Sequence, residues 1–376
     1  MNKYKSFSLH SGLSGCRKAI AAAAAGLTAA ALPLAVLGAG TVGAFIFSAS
    51  RLSARTMMPA TDVSSFRQEA DDALISSDEE EFTSSAEQEE TGKASGGREN
   101  SGESSQTPPE KSDRGEVIEK TIKNSGYSYE GVYVKDGNSN YDLNIKKLLK
   151  SRAKCKIKKN AGYQVLIVHT HTTESYAEKN SGSYSKKYNP RTTDKSESVV
   201  AVADEIEKKL CKAGIRTLHI TTYHDYPEYT GAYDRARKPI KAYLKKYPSI
   251  EMVIDVHRDS MTRDDGAKIK PTAEIKGKKA AQVMIITGCD NEGKLEFDGW
   301  RENSIMAAQL QKKMADKYEG LARPLYFAPF RYNMDLTPNS LLIEFGTDVN
   351  TLSEAKYSGQ LVGNCLVEVL DEYCVN

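Results

Sequence analysis

From residue 115 to the C-terminus, short apolar runs alternate with stretches whose apolar positions recur at helical spacing. The first kind reads as buried strand and the second as one face of a helix. Strands are predicted at residues 162–168, 215–221, 252–256, 273–275, 282–287 and 341–345. Helices are predicted over 195–212, 233–247, 301–318 and 353–370. The first of these sets Val199, Val202, Ala203, Ile206 and Leu210 on one face, and Ala213-Gly214 stops it. Residues 175–194 read as a polar loop carrying Tyr176, Tyr184 and Tyr188. Strands alternating with helices predict an α/β fold, a mostly parallel central sheet flanked by helices. There is no internal repeat.

The pattern before residue 115 is different. Ala19 to Ser50 contains no charged residue, and about 20 apolar residues suffice to cross a bilayer. Lys3, Lys5, Arg17 and Lys18 precede this block, whereas only Arg51 and Arg55 follow closely. That bias predicts a cytoplasmic N-terminus and an extracytoplasmic remainder. A cleaved signal peptide is the competing reading, but the block exceeds the roughly 7–15-residue apolar core of such signals. Leu13-Ser14-Gly15-Cys16 looks like a lipoprotein cleavage box, yet it precedes the apolar block and is taken as chance. The Ser-, Glu- and Gly-rich stretch that follows has too little apolar surface to offset its ordering entropy. The expected organisation is therefore 1–18 cytoplasmic, 19–50 transmembrane anchor, 51–114 disordered linker and 115–376 catalytic domain.

Composition adds little. Lys plus Arg number 52 against 50 Asp plus Glu, a balance that gives no basic footprint for nucleic acid. The six cysteines are scattered singly, so neither a zinc ribbon nor a thioredoxin-like motif is present. Outside the cytoplasm Cys155, Cys211, Cys289, Cys365 and Cys374 could pair, and an odd number leaves one over.

The chemistry sits at three strand ends: VLIV followed by His169-Thr170-His171, MVIDV followed by His257-Arg258-Asp259-Ser260, and LLI followed by Glu344-Phe345-Gly346. Ligands and catalytic groups in open α/β sheets gather just beyond the strands' carboxyl ends. His171 and Glu174 form an H-x-x-E pair, and with His257 they make the nitrogen-and-carboxylate donor set of a catalytic zinc site. Glu344 ends a strand where packing gives a carboxylate no reason to be, so it is the candidate proton carrier. Pairing with Arg258 or Arg331 is the structural alternative. His169, two residues before His171, reads as a supporting residue and not a ligand. Arg258 is a candidate clamp for a peptide carboxylate, or Asp259 an orienter of an imidazole, or the two form a pair. Arg235, Arg331, Asn333 and Asn339 are weaker substrate-contact candidates.

The segments HTHTTESY, IDVHRDS and YNMDLTPNSLLIEFGTDVNT resemble the stage II sporulation protein P family from about residue 127 onward. The resemblance implies a cell-wall hydrolase similar in fold to zinc-dependent N-acetylmuramoyl-L-alanine amidases. It implies cleavage of the amide between N-acetylmuramic acid and L-alanine, with endopeptidase action on cross-links, during engulfment of the forespore. It also implies partnership with stage II sporulation proteins D and M. On this chain His171 and His257 match the zinc histidines and Glu344 the catalytic glutamate. The middle ligand is Glu197 if it opens a downstream helix as in ordinary amidases. It is Glu174 if it follows the first histidine as in zinc carboxypeptidases, and the local spacing favours Glu174. A non-catalytic wall-binding scaffold that recruits a partner hydrolase and a zinc carboxypeptidase that trims stem peptides remain the alternatives.

Overall fold

The computed structural model describes residues 113–375 apart from Asn138 and Asn140. The expected cytoplasmic stretch, anchor and nearly all of the linker lie outside these residues. Among the described residues no helix is long and apolar enough to cross a membrane.

Among the described residues twelve strands form two sheets. The larger has eight, in the order β2 (Tyr127–Tyr129), β3 (Val132–Asp136), β11 (Leu325–Ala328), β10 (Val283–Gly288), β12 (Leu341–Thr347), β7 (Met252–Asp259), β4 (Val165–Val168) and β6 (Thr217–His219). Only the β2–β3 and β10–β12 pairings are antiparallel. The rest are parallel. The mixed α/β architecture with a mostly parallel sheet is thus present.

Residues of β4 explain how the layers stack. Val165 and Ile167 join the main core with Ile206 and Leu210 of α2 (Val199–Lys212) and Leu366 of α5 (Leu352–Asp371). Leu166 and Val168 face a second core with Ala236 and Ile240 of α3 (Ala232–Lys246). Successive strand residues point to opposite faces, so a strand covered on both sides must be apolar at every position. The short α1 (Ile145–Lys150) and the long α4 (Trp300–Lys317) also pack on the first face, through Ile145 and Leu310.

Several boundaries differ from the sequence expectation. The 195–212 helix is split, with a 3-10 turn at Lys195–Glu197 before Ser198, whose hydroxyl accepts from Val200 N and caps α2. A hydroxyl at that position satisfies an orphan N–H, so the α-helix proper begins after it. β7 and β12 run on to Asp259 and Thr347, because their polar ends stay paired within the sheet.

The 175–194 loop contains β5 (Ser183–Ser185), part of a smaller sheet ordered β5, β1 (Arg114–Lys120), β8 (Lys268–Ile275) and β9 (Lys278–Ala281). β8 and β9 are joined by Lys276-Gly277, both with positive φ, the geometry of a tight hairpin turn. No disulfide joins the five described cysteines, of which Cys155, Cys289 and Cys365 are buried.

The end of β12 depends on Gly346. Its φ is +68°, and the ladder to β7 shifts between Glu344 and Thr347. An added Cβ would stand 2.5 Å from Asn350 Oδ1 and 2.7 Å from Ala281 Cβ. Asn350 cannot yield easily, since it accepts from Thr347 N at 2.8 Å and donates to Pro271 O at 3.1 Å. Gly346→Ala is expected to cost about 1–3 kcal/mol in denaturant melts, from left-handed backbone strain with overpacking. An unchanged midpoint would show that the bend is not required.

Candidate active site

The sheet order sets β12, β7 and β4 side by side, so their polar ends converge. Glu344 lies opposite His257 in the β12–β7 register, and Val168 opposite Asp255 in the β7–β4 register. Beyond β4 the chain turns through His171, whose carbonyl accepts from Glu174 N at 3.2 Å. Val199 N, at the head of α2, donates to Glu174 O at 2.9 Å and ties that turn down.

The side chains meet in a buried cluster. Glu174 Oε2 is 3.4 Å from His257 Nδ1 and accepts from Arg258 N at 3.1 Å. The His171 and His257 rings lie 5.3 Å apart, centroid to centroid, nearly perpendicular. His171 Nδ1 and Glu344 Oε2 are buried with no hydrogen-bond partner. His257 Nε2 is 2.9 Å from Asp255 Oδ1, close enough for an ion pair but off the axis of a hydrogen bond. Asp255 is itself fixed by Thr170, whose N–H and hydroxyl donate to it at 2.9 and 2.6 Å.

Burial would push Glu174 up, but His257 and Arg258 hold it below the usual carboxylate range. Burial opposes charge on His257 too, yet Asp255 and then Glu174 raise it. His171 is pushed down to about 3, chiefly by burial. Glu344 is pushed up to about 8 by burial; His257 works against this, and Asp259 and Glu174 add to it.

Two of these residues, Glu174 and His257, stand at the spacing of cation ligands. Ligands at about 2.0–2.2 Å in a tetrahedron sit roughly 3.3–3.5 Å from one another. The His257–Glu174 separation falls in that interval, and His171 brings a buried nitrogen with nothing else to bind. Asp255 behind His257 is the usual outer support of a ligating imidazole. His171 stands further back. Among the described residues, three donor atoms all within 4.8 Å of one another are found at Asp204, Glu207 and His219.

The remaining sequence candidates are placed as follows. Glu197 is exposed, on the 3-10 turn. Arg258 is buried, and its guanidinium donates to the carbonyls of Ser175 and Pro190 at 3.1 and 2.9 Å, which leaves it little reach for a ligand. The Asp259 carboxylate pairs with Arg323 at 2.7 Å and not with an imidazole, and Arg258 reaches only the Asp259 carbonyl, at 3.4 Å. No hydrogen bond or ion pair joins Glu344 to Arg258 or Arg331.

Arg331 donates to Leu295 O at 3.1 Å and is partly exposed. The Asn333 amide donates to Tyr233 O at 2.9 Å, which makes Asn333 a support for the start of α3. Arg235 donates to the carbonyls of His224 and Thr230, and Asn339 to those of Lys154 and Glu251. His169 Nδ1 donates to Val256 O, and its Nε2 shares a hydrogen bond with His219 Nε2, away from the cluster.

Sequence reasoning missed Asp255, Tyr229 and Tyr233. Asp255 is two residues before His257 on one strand, a spacing that places both on one face. Tyr229 stacks on His171 at 4.6 Å, and Arg191 lies over the Tyr229 ring at 4.5 Å. Tyr233 lies parallel to His257 at 6.5 Å. Both tyrosines come from the turn before α3 and its first residues, and no local pattern marks them.

The sequence model of the family described as Stage II sporulation protein P (SpoIIP) matches residues 53–367. The chain belongs to the stage II sporulation protein P family. Stage II sporulation protein P of Bacillus subtilis (strain 168) is 30% identical over 228 residues, 55% of this chain and 50% of that protein. The chain therefore spans about half the length of the curated family member it matches.

Among solved structures, N-acetylmuramoyl-L-alanine amidase AmiC2 of Nostoc punctiforme is 10% identical, covering 57% of this chain and 98% of that one, with a TM-score of 0.33. N-acetylmuramoyl-L-alanine amidase from Clostridium difficile 630 is 13% identical, covering 57% and 97%, with a TM-score of 0.30. Likenesses of that size assign no chemistry to this member of the stage II sporulation protein P family.

Proposed function

We propose that the chain is a sporulation peptidoglycan hydrolase that cleaves the amide between N-acetylmuramic acid and L-alanine, and peptide cross-links as a second substrate. The observation that carries the reading is the buried convergence of His171, Glu174, His257 and Glu344 at adjacent strand ends, with three polar atoms (His171 Nδ1, His257 Nε2 and Glu344 Oε2) left without a hydrogen-bond partner.

His171, Glu174 and His257 would hold a zinc ion. When bound, it supplies Lewis acidity toward the scissile carbonyl and toward water. Glu344 accepts the proton of the attacking water and returns it to the leaving amine, a role suited to a carboxyl whose proton affinity lies near neutrality. Asp255 and Thr170 keep the His257 ring in place, and Tyr229 and Tyr233 set their rings against His171 and His257.

The 19–50 block would anchor this domain at the membrane on the extracytoplasmic side, with the linker giving reach to the wall. The D and M proteins of stage II are the partners proposed from family membership.

Incubating purified sacculi with the full chain and separating the products tests the reading. Intact stem peptides freed from glycan, lost on chelation, are expected. Release of single C-terminal amino acids would instead indicate a carboxypeptidase, and an unaltered wall would leave the scaffold reading.

A further inference from the structure

A second cluster stands on the other side of β4, where β6 ends against α2. Asp204 and Glu207 are three residues apart on α2, a spacing that puts both on one face. His219 ends β6, with its side chain 3% exposed. Its Nδ1 is 3.4 Å from Asp204 Oδ1 and 3.3 Å from Glu207 Oε2. Its Nε2 is 2.8 Å from His169 Nε2, and His169 Nδ1 is 3.0 Å from Val256 O.

Counting hydrogens along this row shows a deficit. It begins at a carbonyl and ends at carboxylates, all of which only accept. Three contacts separate them: Val256 O to His169, His169 to His219, and His219 to the acid pair. Each contact needs one positive centre between two lone pairs, and two neutral imidazoles carry two N–H groups. The third place must be filled by an added proton or by a cation.

Distance and charge decide between them. A charge-assisted N–H to carboxylate bond contracts to about 2.7–2.9 Å, shorter than either contact here. Neighbouring ligands of a tetrahedral cation at about 2.0–2.1 Å stand roughly 3.3–3.4 Å apart, which both contacts match. One proton would leave the two carboxylates under-neutralised. Lys208, one turn on from Asp204, gives its ammonium to Glu205 at 2.7 Å instead. Asp204 is half exposed, so the cluster has an entry path and room for a water ligand.

We propose that Asp204, Glu207 and His219 form a second divalent-cation site, of one nitrogen and two oxygen donors, that takes zinc or a metal of similar preference. It clamps the edge strand β6 to α2, and its imidazole row ends on the carbonyl next to His257. It rests on contacts separate from the active-site reading.

Zinc titration of the full, metal-stripped chain is the test, with bound metal counted by mass spectrometry. Wild type is expected to hold two zinc ions, the Asp204→Asn/Glu207→Gln double variant one, and His171→Ala one. Asp204→Asn alone changes a half-exposed side chain and is expected to weaken one of the two sites at least tenfold without altering the melt of the stripped protein. Equal zinc content and equal affinities in wild type and both acid variants would overturn the second site. If the active-site reading alone fails, wild type holds a single zinc that the double variant loses and His171→Ala keeps.

Discussion

Glu344→Gln is expected to lower hydrolysis of purified sacculi by about 10²–10⁴-fold, the usual contribution of a positioned acid–base group. The substitution keeps shape and removes the ability to take a proton. Zinc content should remain within error of wild type, because the ligand set proposed is His171, Glu174 and His257.

The same variant has a stability signature. Glu344 is pushed up to about 8 from 4.5, so between those values the folded, metal-free chain keeps a proton that the unfolded chain has lost. Stability from this group is therefore fully present below pH 4.5 and lost as pH rises through 8. Melts of the chelated protein should show that decline for wild type and a flatter profile for Glu344→Gln. Full turnover in the variant would remove the glutamate from the mechanism, whatever its effect on stability.

Glu174→Gln and Glu197→Gln separate the two candidates for the middle ligand. Replacing Glu174 should weaken zinc binding at the active site by more than the roughly 10–100-fold typical of losing an outer support, and abolish hydrolysis. Glu174 is 4% exposed and touches His257, while Glu197 sits in solvent. Glu197→Gln should leave affinity within a few-fold of wild type. Calorimetric titration of both variants with zinc decides the matter, and loss of the metal in Glu197→Gln alone would reverse the assignment.

The strand ends were legible because a β-rich apolar run broken by His or Glu is a local pattern. VLIV, MVIDV and LLI announce a sheet buried on both faces, and the residues just after them announce where its chemistry gathers. The start of α2 was legible only in part. Ser198 competes with the helix by capping it, which periodicity of apolar residues does not register. The strands of the smaller sheet were mostly hidden: β1, with RGEVIEK, is too polar and β5, with SYS, too short to look like strands, and they exist because partners distant in sequence supply their hydrogen bonds.

What the sequence by itself determined is the residue types and the order in which they leave the sheet: His171, Glu174, His257 and Glu344, each beyond or at the end of an apolar run. Only the tertiary structure decided that β12, β7 and β4 are neighbours, that Glu174 and not Glu197 meets His257, and that Arg258 is consumed by carbonyls. It also brought Asp255, Tyr229 and Tyr233 around the imidazoles, and joined His219 to Asp204 and Glu207. The physical reason is that periodicity encodes which face of an element is buried, whereas strand order and side-chain partners are fixed by packing between segments tens of residues apart.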